Sequence, residues 1–139
     1  MKKVISPVII AVLFACLPLL LISCGDSDSC GDSDQASVKY QVDMGDWQVD
    51  CLTRLEWIDE DGVTQSRISI NQNPWRETFC GSDGAHLYLY ARVECGEVEI
   101  TLYLDNIVVE RKTRDSRATI EGYLRIDDEG NATFEDIDD

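Results

Sequence analysis

Two patterns of hydrophobic residues divide this chain. Residues 4–22 form a nearly uninterrupted apolar stretch, whereas apolar and polar residues alternate in short segments from residue 38 onward. Alternation with a period of two is typical of β-strands that bury one face. Eight strands are predicted in this way, over residues 38–42, 49–57, 63–70, 75–80, 87–93, 98–104, 107–112 and 117–126. Short strands separated by Gly, Asn, Asp and Pro, with no helix after the apolar leader, predict an all-β antiparallel sandwich of seven or eight strands.

The N-terminal apolar stretch has the organisation of a secretory leader. Two lysines precede it, and it ends in Leu21-Ile22-Ser23-Cys24. This order resembles a bacterial lipoprotein signal, so residues 1–23 are predicted to be removed and Cys24 to carry the lipid that anchors the protein to a membrane. An uncleaved transmembrane helix is the alternative, because the 19 residues of the stretch are enough to span a bilayer. The prolines Pro7 and Pro18 disfavour a continuous helix.

Charge divides the mature chain into three parts. The formal net charge is −15, and removal of the leader takes away two of the 12 basic residues and none of the 27 acidic ones, which leaves −17. Residues 24–37 and 127–139 contain acids but no base. They are predicted to be an Asp/Ser/Gly-rich tether and an acidic disordered tail on either side of a domain at 38–126. This excess of acid excludes nucleic acid as a partner. It also causes repulsion from anionic headgroups, so the lipid must anchor the protein to the membrane.

Four cysteines follow Cys24 in the mature chain, and outside the cytoplasm such a set indicates disulfides. If consecutive strands alternate in direction, Cys51 and Cys95 lie at one end of the sandwich and Cys80 lies at the other, near the tether that carries Cys30. Strands of this length span roughly 20–26 Å, far beyond the roughly 7 Å between Cα atoms that a disulfide permits. We therefore predict a Cys51–Cys95 disulfide, whereas a Cys30–Cys80 pair is permitted only because the tether is loose. A buried thiol at Cys51 or Cys80 is the alternative.

The tether also contains a candidate calcium loop. Its aspartates have the spacing of ligands in an EF-hand-like loop: Asp26, Asp28, Asp32 and Asp34. Cys30 and Ser37 stand where two further oxygen ligands belong, and no helices flank the segment. The pattern therefore favours a plain flexible tether over a specific calcium site.

No motif indicates catalysis. His86 is the only histidine, and no hydrolase, metalloprotease or nucleotide-binding motif accompanies it. The chain is therefore predicted not to be an enzyme and to need no cofactor. One group of bases stands against the acidic background, in the turn expected after the seventh strand: Arg111, Lys112, Arg114 and Arg117. This group either docks an acidic partner or neutralises the acidic tail.

Several short motifs follow one another within residues 38–126. They are Val38-Lys39-Tyr40-Gln41-Val42, Asn73-Pro74-Trp75, Leu87-Tyr88-Leu89-Tyr90-Ala91, and the alternating run from Ile100 through Asp105-Asn106 to Val109. In this order they resemble the extracytoplasmic domain of the MmpS-type small membrane proteins and similar small bacterial lipoproteins. The resemblance implies an immunoglobulin-like β-sandwich. It also implies an accessory role, because some of those proteins are accessory subunits of RND-type lipid or siderophore exporters.

These features together predict a membrane-anchored, non-catalytic lipoprotein that serves as a binding or accessory module for an envelope partner such as a transporter. The alternative function is that of a lipoprotein that binds a cation or a small molecule through its acidic segments or an aromatic-lined end. Gly25, and not an aspartate, follows Cys24. By resemblance to the sorting rule of bacterial lipoproteins, this predicts the outer membrane as the location in preference to the inner membrane.

Overall fold

The computed structural model describes residues 30–45 and 52–137, and in these ranges the chain is built from antiparallel β-strands. The strands are β1 (Gln35–Met44), β2 (Leu52–Ile58), β3 (Thr64–Arg67), β4 (Trp75–Ser82), β5 (His86–Leu104), β6 (Ile107–Ile126) and β7 (Ala132–Asp136). The predicted all-β antiparallel class is confirmed. Within the described residues, no helix has the length and apolar character needed to cross a membrane.

The strands form one sheet that curls on itself like a sandwich. Its order is β3-β2-β5-β1-β4, and β6 pairs with β5 on one side and with β7 on the other. One edge of β5 pairs first with β2, over Leu89–Val93, and then with β1, over Val98–Leu104. Because β2 and β1 share this single long strand, curling brings their apolar faces together. Trp57 of β2 and Trp75 of β4 meet across the core with their ring centroids 4.9 Å apart.

The core depends on a change of parity within β5. Before the bend its buried hydrophobic residues are odd-numbered, from Leu87 to Val93, and after the bend they are even-numbered, from Val98 to Leu104. The change coincides with a shift of register against β6, where residues 93–96 of β5 lie opposite Ser116. Gly96 and Ser116 both have a positive φ, of 79° and 65°. A β-bulge of this kind bends a strand while its pairing continues on either side.

Because of this bulge, two of the predicted turns are wrong. The sequence predicts a turn at Cys95-Gly96, with separate strands over 87–93 and 98–104, and another turn between 112 and 117. The structure has instead two continuous strands, β5 and β6. Glycine with a positive φ serves a bulge as well as a turn, so composition alone does not distinguish them.

The two flanking segments also differ from the prediction. Of the predicted tether, residues 35–37 belong to β1, and Cys30 is joined to β4 by a disulfide. Of the predicted disordered tail, Ala132–Asp136 forms β7, which pairs with residues 122–126 of β6. Phe134 packs against the core, and the acids of β7 face bases of β6. Arg125 Nε lies 2.6 Å from Glu135 Oε2, and Lys112 Nζ lies 3.3 Å from Asp136 Oδ2.

The close approach of β7 to β6 requires glycine at position 122. A Cβ at Gly122 would overlap with the carbonyl oxygen of Glu135 and the ring of Phe134. We expect Gly122→Ala to lower the free energy of unfolding by about 1–3 kcal/mol, as overpacking does, in urea denaturation followed by tryptophan fluorescence. Gly45→Ala is the control, because a Cβ there meets nothing within 4 Å. Equal stability of the two variants would contradict the packing of β7 described above.

Candidate functional site

Three arginines form a row across the outer face of β2, β5 and β6. Arg54 is paired with Arg92, and Arg92 with Arg117. All three side chains are exposed, and we call this set the arginine row. Since neighbouring strands lie roughly 4.8 Å apart, the row is roughly 10 Å long. Like charges directly opposite each other repel one another, so the row concentrates positive charge on the outer face of the sheet.

The alternation of the three strands places the arginines outside. The next residues along the strands, Leu55, Ala91 and Ala118, form the equivalent inner row and are buried, with exposures of 0%, 0% and 3%. The apolar row therefore holds the backbone of the three strands in register. The arginine row projects from the same backbone into solvent on the opposite side.

Two half-buried tyrosines and two carboxylates lie beside the arginine row. Tyr90 is paired with Glu56 and Tyr88 with Glu121. Arg54 Nε donates a hydrogen bond to Glu56 Oε1 over 2.9 Å. This hydrogen bond and the charge of Glu56 raise the pKa of Arg54. Burial, followed by the charges of Glu56 and Glu121, raises the pKa of Tyr88. The face therefore combines guanidinium groups and two carboxylates with neutral aromatic surface.

A groove of about 590 Å³ opens next to the arginine row. Its lining includes Lys112, Arg114 and Arg117, together with Tyr90 and one acid, Asp115. We call it the basic groove. Lys112 and Arg114 precede the bend at Ser116 and Arg117 follows it, so the bend brings bases from both halves of β6 to one concave surface.

The predicted basic group thus lies within β6 and not in a turn, and its members have different roles. Arg111 Nε lies 3.7 Å from Glu99 Oε1, and Lys112 contacts Asp136 of the acidic C-terminal segment. The predicted neutralisation of that segment therefore applies to Lys112, whereas Arg114 and Arg117 line the basic groove. Sequence reasoning missed Arg54 and Arg92. Alternation puts both on the polar faces of their strands, but only the pairing of the strands brings them into line with Arg117.

His86 lies at the other end of β5, on a second cleft of about 540 Å³. Its Nε2 is 3.1 Å from Glu121 Oε1, and its ring centroid is 5.4 Å from that of Tyr123. The cleft also touches the Asp59–Gly62 turn. There the Asp59 carboxylate accepts hydrogen bonds from the Val63 N–H, at 2.9 Å, and from Gln65, at 2.6 Å. The bonds from Val63 and Gln65 lower the pKa of Asp59, so this carboxylate stabilises the turn.

The cysteine predictions have different outcomes. The Cys30–Cys80 disulfide is present, with a Cα–Cα distance of 5.7 Å. Cys95 is disulfide-bonded, but its predicted partner Cys51 lies outside the described residues, so the Cys51–Cys95 pairing stays a prediction. The first described residue of β2, Leu52, is paired with Val93, two positions before Cys95.

The lipid and calcium predictions fall mostly outside the described residues. Cys24, Asp26 and Asp28 lie there, and Asp32 and Asp34 stand just before β1. In the described ranges, no group of His, Cys, Asp or Glu side chains is arranged to hold a metal ion.

No protein-family model matches the sequence, and no curated protein matches it either. The resemblance to the MmpS-type domain therefore rests on the motifs in the chain itself.

The Cys30–Cys80 disulfide is expected to make a large contribution to stability. It joins positions 50 residues apart. A crosslink over a loop of that length lowers the conformational entropy of the unfolded chain and so raises its free energy by about 4 kcal/mol at most. We expect Cys30→Ser/Cys80→Ser to lower the free energy of unfolding by about 2–4 kcal/mol in urea under non-reducing conditions. Each single replacement should cost about as much as the double one, since each removes the same bond. A loss smaller than about 1 kcal/mol would show that the bond does not constrain the unfolded chain.

Proposed function

We propose that this chain is a non-catalytic binding module that is held at a membrane of the cell envelope by a lipid on Cys24 and contacts a partner protein. The observation that carries the proposal is the arginine row. Three exposed guanidinium groups are aligned on neighbouring strands of a protein whose net charge is −15. An external group of opposite charge would meet several guanidinium donors side by side on this face.

The surroundings of His86 favour binding over catalysis. A histidine that activates a nucleophile is hydrogen-bonded to a hydroxyl or thiol group. In the described part of the chain, the hydrogen bond of the His86 ring runs to the Glu121 carboxylate. The basic groove contains no histidine and no cysteine among its lining residues. Its chemistry of guanidinium, ammonium and phenol groups suits recognition of a charged surface.

The membrane part of the proposal rests on the leader and the residues at its end. Leu21-Ile22-Ser23-Cys24 closes an apolar stretch that follows two lysines. Gly25 after the cysteine favours the outer membrane, and the resemblance to MmpS-type domains favours a transporter of the envelope as the partner. A lipid anchor and an accessory partner also fit together, because a tethered module meets a membrane partner at a high effective concentration.

The anchor is tested by Cys24→Ala. We expect this variant to lose incorporation of radiolabelled palmitate and to keep the mass of the precursor, because the acylated sulfur and the cleavage signal are both removed. Cys16→Ala is the control, since it changes a cysteine inside the leader and leaves the signal intact. Acylation of the Cys24→Ala protein would contradict the assignment.

The binding role is tested by affinity capture of the tagged full-length protein from detergent-solubilised membranes after cross-linking. We expect a partner protein to be recovered with the unaltered chain. Its recovery should fall at least fivefold with Arg92→Gln/Arg117→Gln. Arg76→Gln/Arg125→Gln makes the same change of charge away from the arginine row and should leave recovery unchanged. Recovery of the bait alone would contradict the proposed function. Equal recovery with both double variants would remove the arginine row from it.

A further inference from the structure

The geometry points to a short acidic segment of the partner protein as the ligand of the arginine row and the basic groove. In this arrangement the segment is extended, and its carboxylates pair with the guanidinium groups. The inference rests on the proposed function and names the chemistry of the partner. It is carried by the charge, shape and surroundings of the site.

The charge of the site is opposite to that of the molecule. The arginine row and the basic groove together contain five bases and one acid, and Glu56 is hydrogen-bonded to Arg54 beside them. The bases are Arg54, Arg92, Lys112, Arg114 and Arg117, and the acid is Asp115. Four of the five bases are arginines, whose planar guanidinium groups accept carboxylates in a bidentate geometry. An acidic ligand therefore finds a local attraction on a protein that otherwise repels it.

The acids that lie around and within the site restrict the size of the ligand. Glu56 and Glu121 lie beside the two tyrosines, and Glu94 and Glu97 lie on the exposed bend of β5 that follows Arg92. A nucleic acid or an anionic membrane surface would extend past the arginines onto these carboxylates and be repelled. A short segment ends before it reaches them. Like charges brought together across an interface oppose the wrong partner in this way.

The mixture of charges within the site favours separated carboxylates over a dense anion. Glu56 stands next to Arg54, and Asp115 lies in the basic groove with Arg114 and Arg117. An extended peptide presents single charges several ångströms apart, so it can meet the bases and avoid the two acids. The half-buried rings of Tyr88 and Tyr90 then offer surface to the parts of the peptide between its charges.

The chain already contains one contact of the same kind. β7 is an extended acidic segment, and its last residue, Asp136, places Oδ2 3.3 Å from Lys112 Nζ in the basic groove. A second extended acidic segment would form carboxylate contacts of the same kind with Arg114, Arg117 and Arg92.

The experiment uses the full-length chain purified in detergent and a fluorescein-labelled peptide of alternating glutamate and serine, eight residues long. We expect saturable binding by fluorescence anisotropy at low salt that weakens as salt is raised, because exposed charge pairs are screened. Arg92→Gln/Arg117→Gln should weaken binding at least tenfold. Arg76→Gln/Arg125→Gln should change it less than twofold, and the corresponding uncharged glutamine–serine peptide should not bind.

Urea denaturation of the same variants separates a binding role from a structural one. We expect Arg92→Gln/Arg117→Gln to unfold at nearly the same urea concentration as the unaltered protein, because both side chains are exposed and exposed substitutions change stability little. A variant that loses both stability and binding would show that the two arginines support the fold. In that case the acidic-segment site is withdrawn.

Further outcomes would overturn the inference. The peptide could fail to bind at low salt, or both double variants could weaken its binding equally. Inorganic phosphate could bind with the expected dependence on Arg92 and Arg117 while the glutamate peptide does not, which would assign the site to a compact anion. Phosphatidylglycerol vesicles binding in place of the peptide would assign it to a lipid surface. A partner captured from membranes in any of these cases would leave the proposed function intact.

Discussion

The structure depends on the antiparallel pairing of β5 with β6. β1 and β2 also pair directly with β5, so this strand connects both halves of the sheet. β2 and β1 take successive parts of one edge of β5, and β6 takes the whole of the other edge. A two-stranded ribbon of this length can serve both halves of a sandwich only if it bends. It must also keep its apolar side chains inside on both sides of the bend. The bulge at residues 93–96 meets both requirements, because it changes the parity of β5 where the ribbon turns.

The same bend connects the fold to the candidate site. Lys112 and Arg114 come before Ser116 in β6 and Arg117 comes after it, and all three line one groove. A straight β6 would spread these bases along the strand, roughly 17 Å from the first to the last at the usual rise per residue. The distribution of charge over the surface is therefore a consequence of backbone geometry. The bulge that closes the core also concentrates the bases.

Much of the fold could be predicted from the sequence because each strand is a local pattern. The alternation of Val38, Tyr40 and Val42 identified β1, and the change from odd to even apolar positions between Val93 and Val98 was visible. The sequence does not show whether that change marks a turn or a bulge, because both place glycine in a positive-φ conformation. β7 escaped prediction because its acids indicate disorder until the bases of β6 are known to face them. The arginine row was out of reach for a similar reason, since it depends on which strands pair and in what register.

The Cys30–Cys80 disulfide has a consequence for the orientation of the molecule on a membrane. It joins the chain to the domain at the end of β4, six residues after Cys24, and six residues extend to roughly 20 Å at most. With a lipid on Cys24, the end of the domain that contains Cys80 and His86 would face the bilayer. Arg92 follows His86 by six residues along β5, roughly 20 Å farther up the strand. This one disulfide would thus limit the distance of the domain from the membrane and set its orientation. One end of the domain would stay near the headgroups, and the arginines would lie well above them.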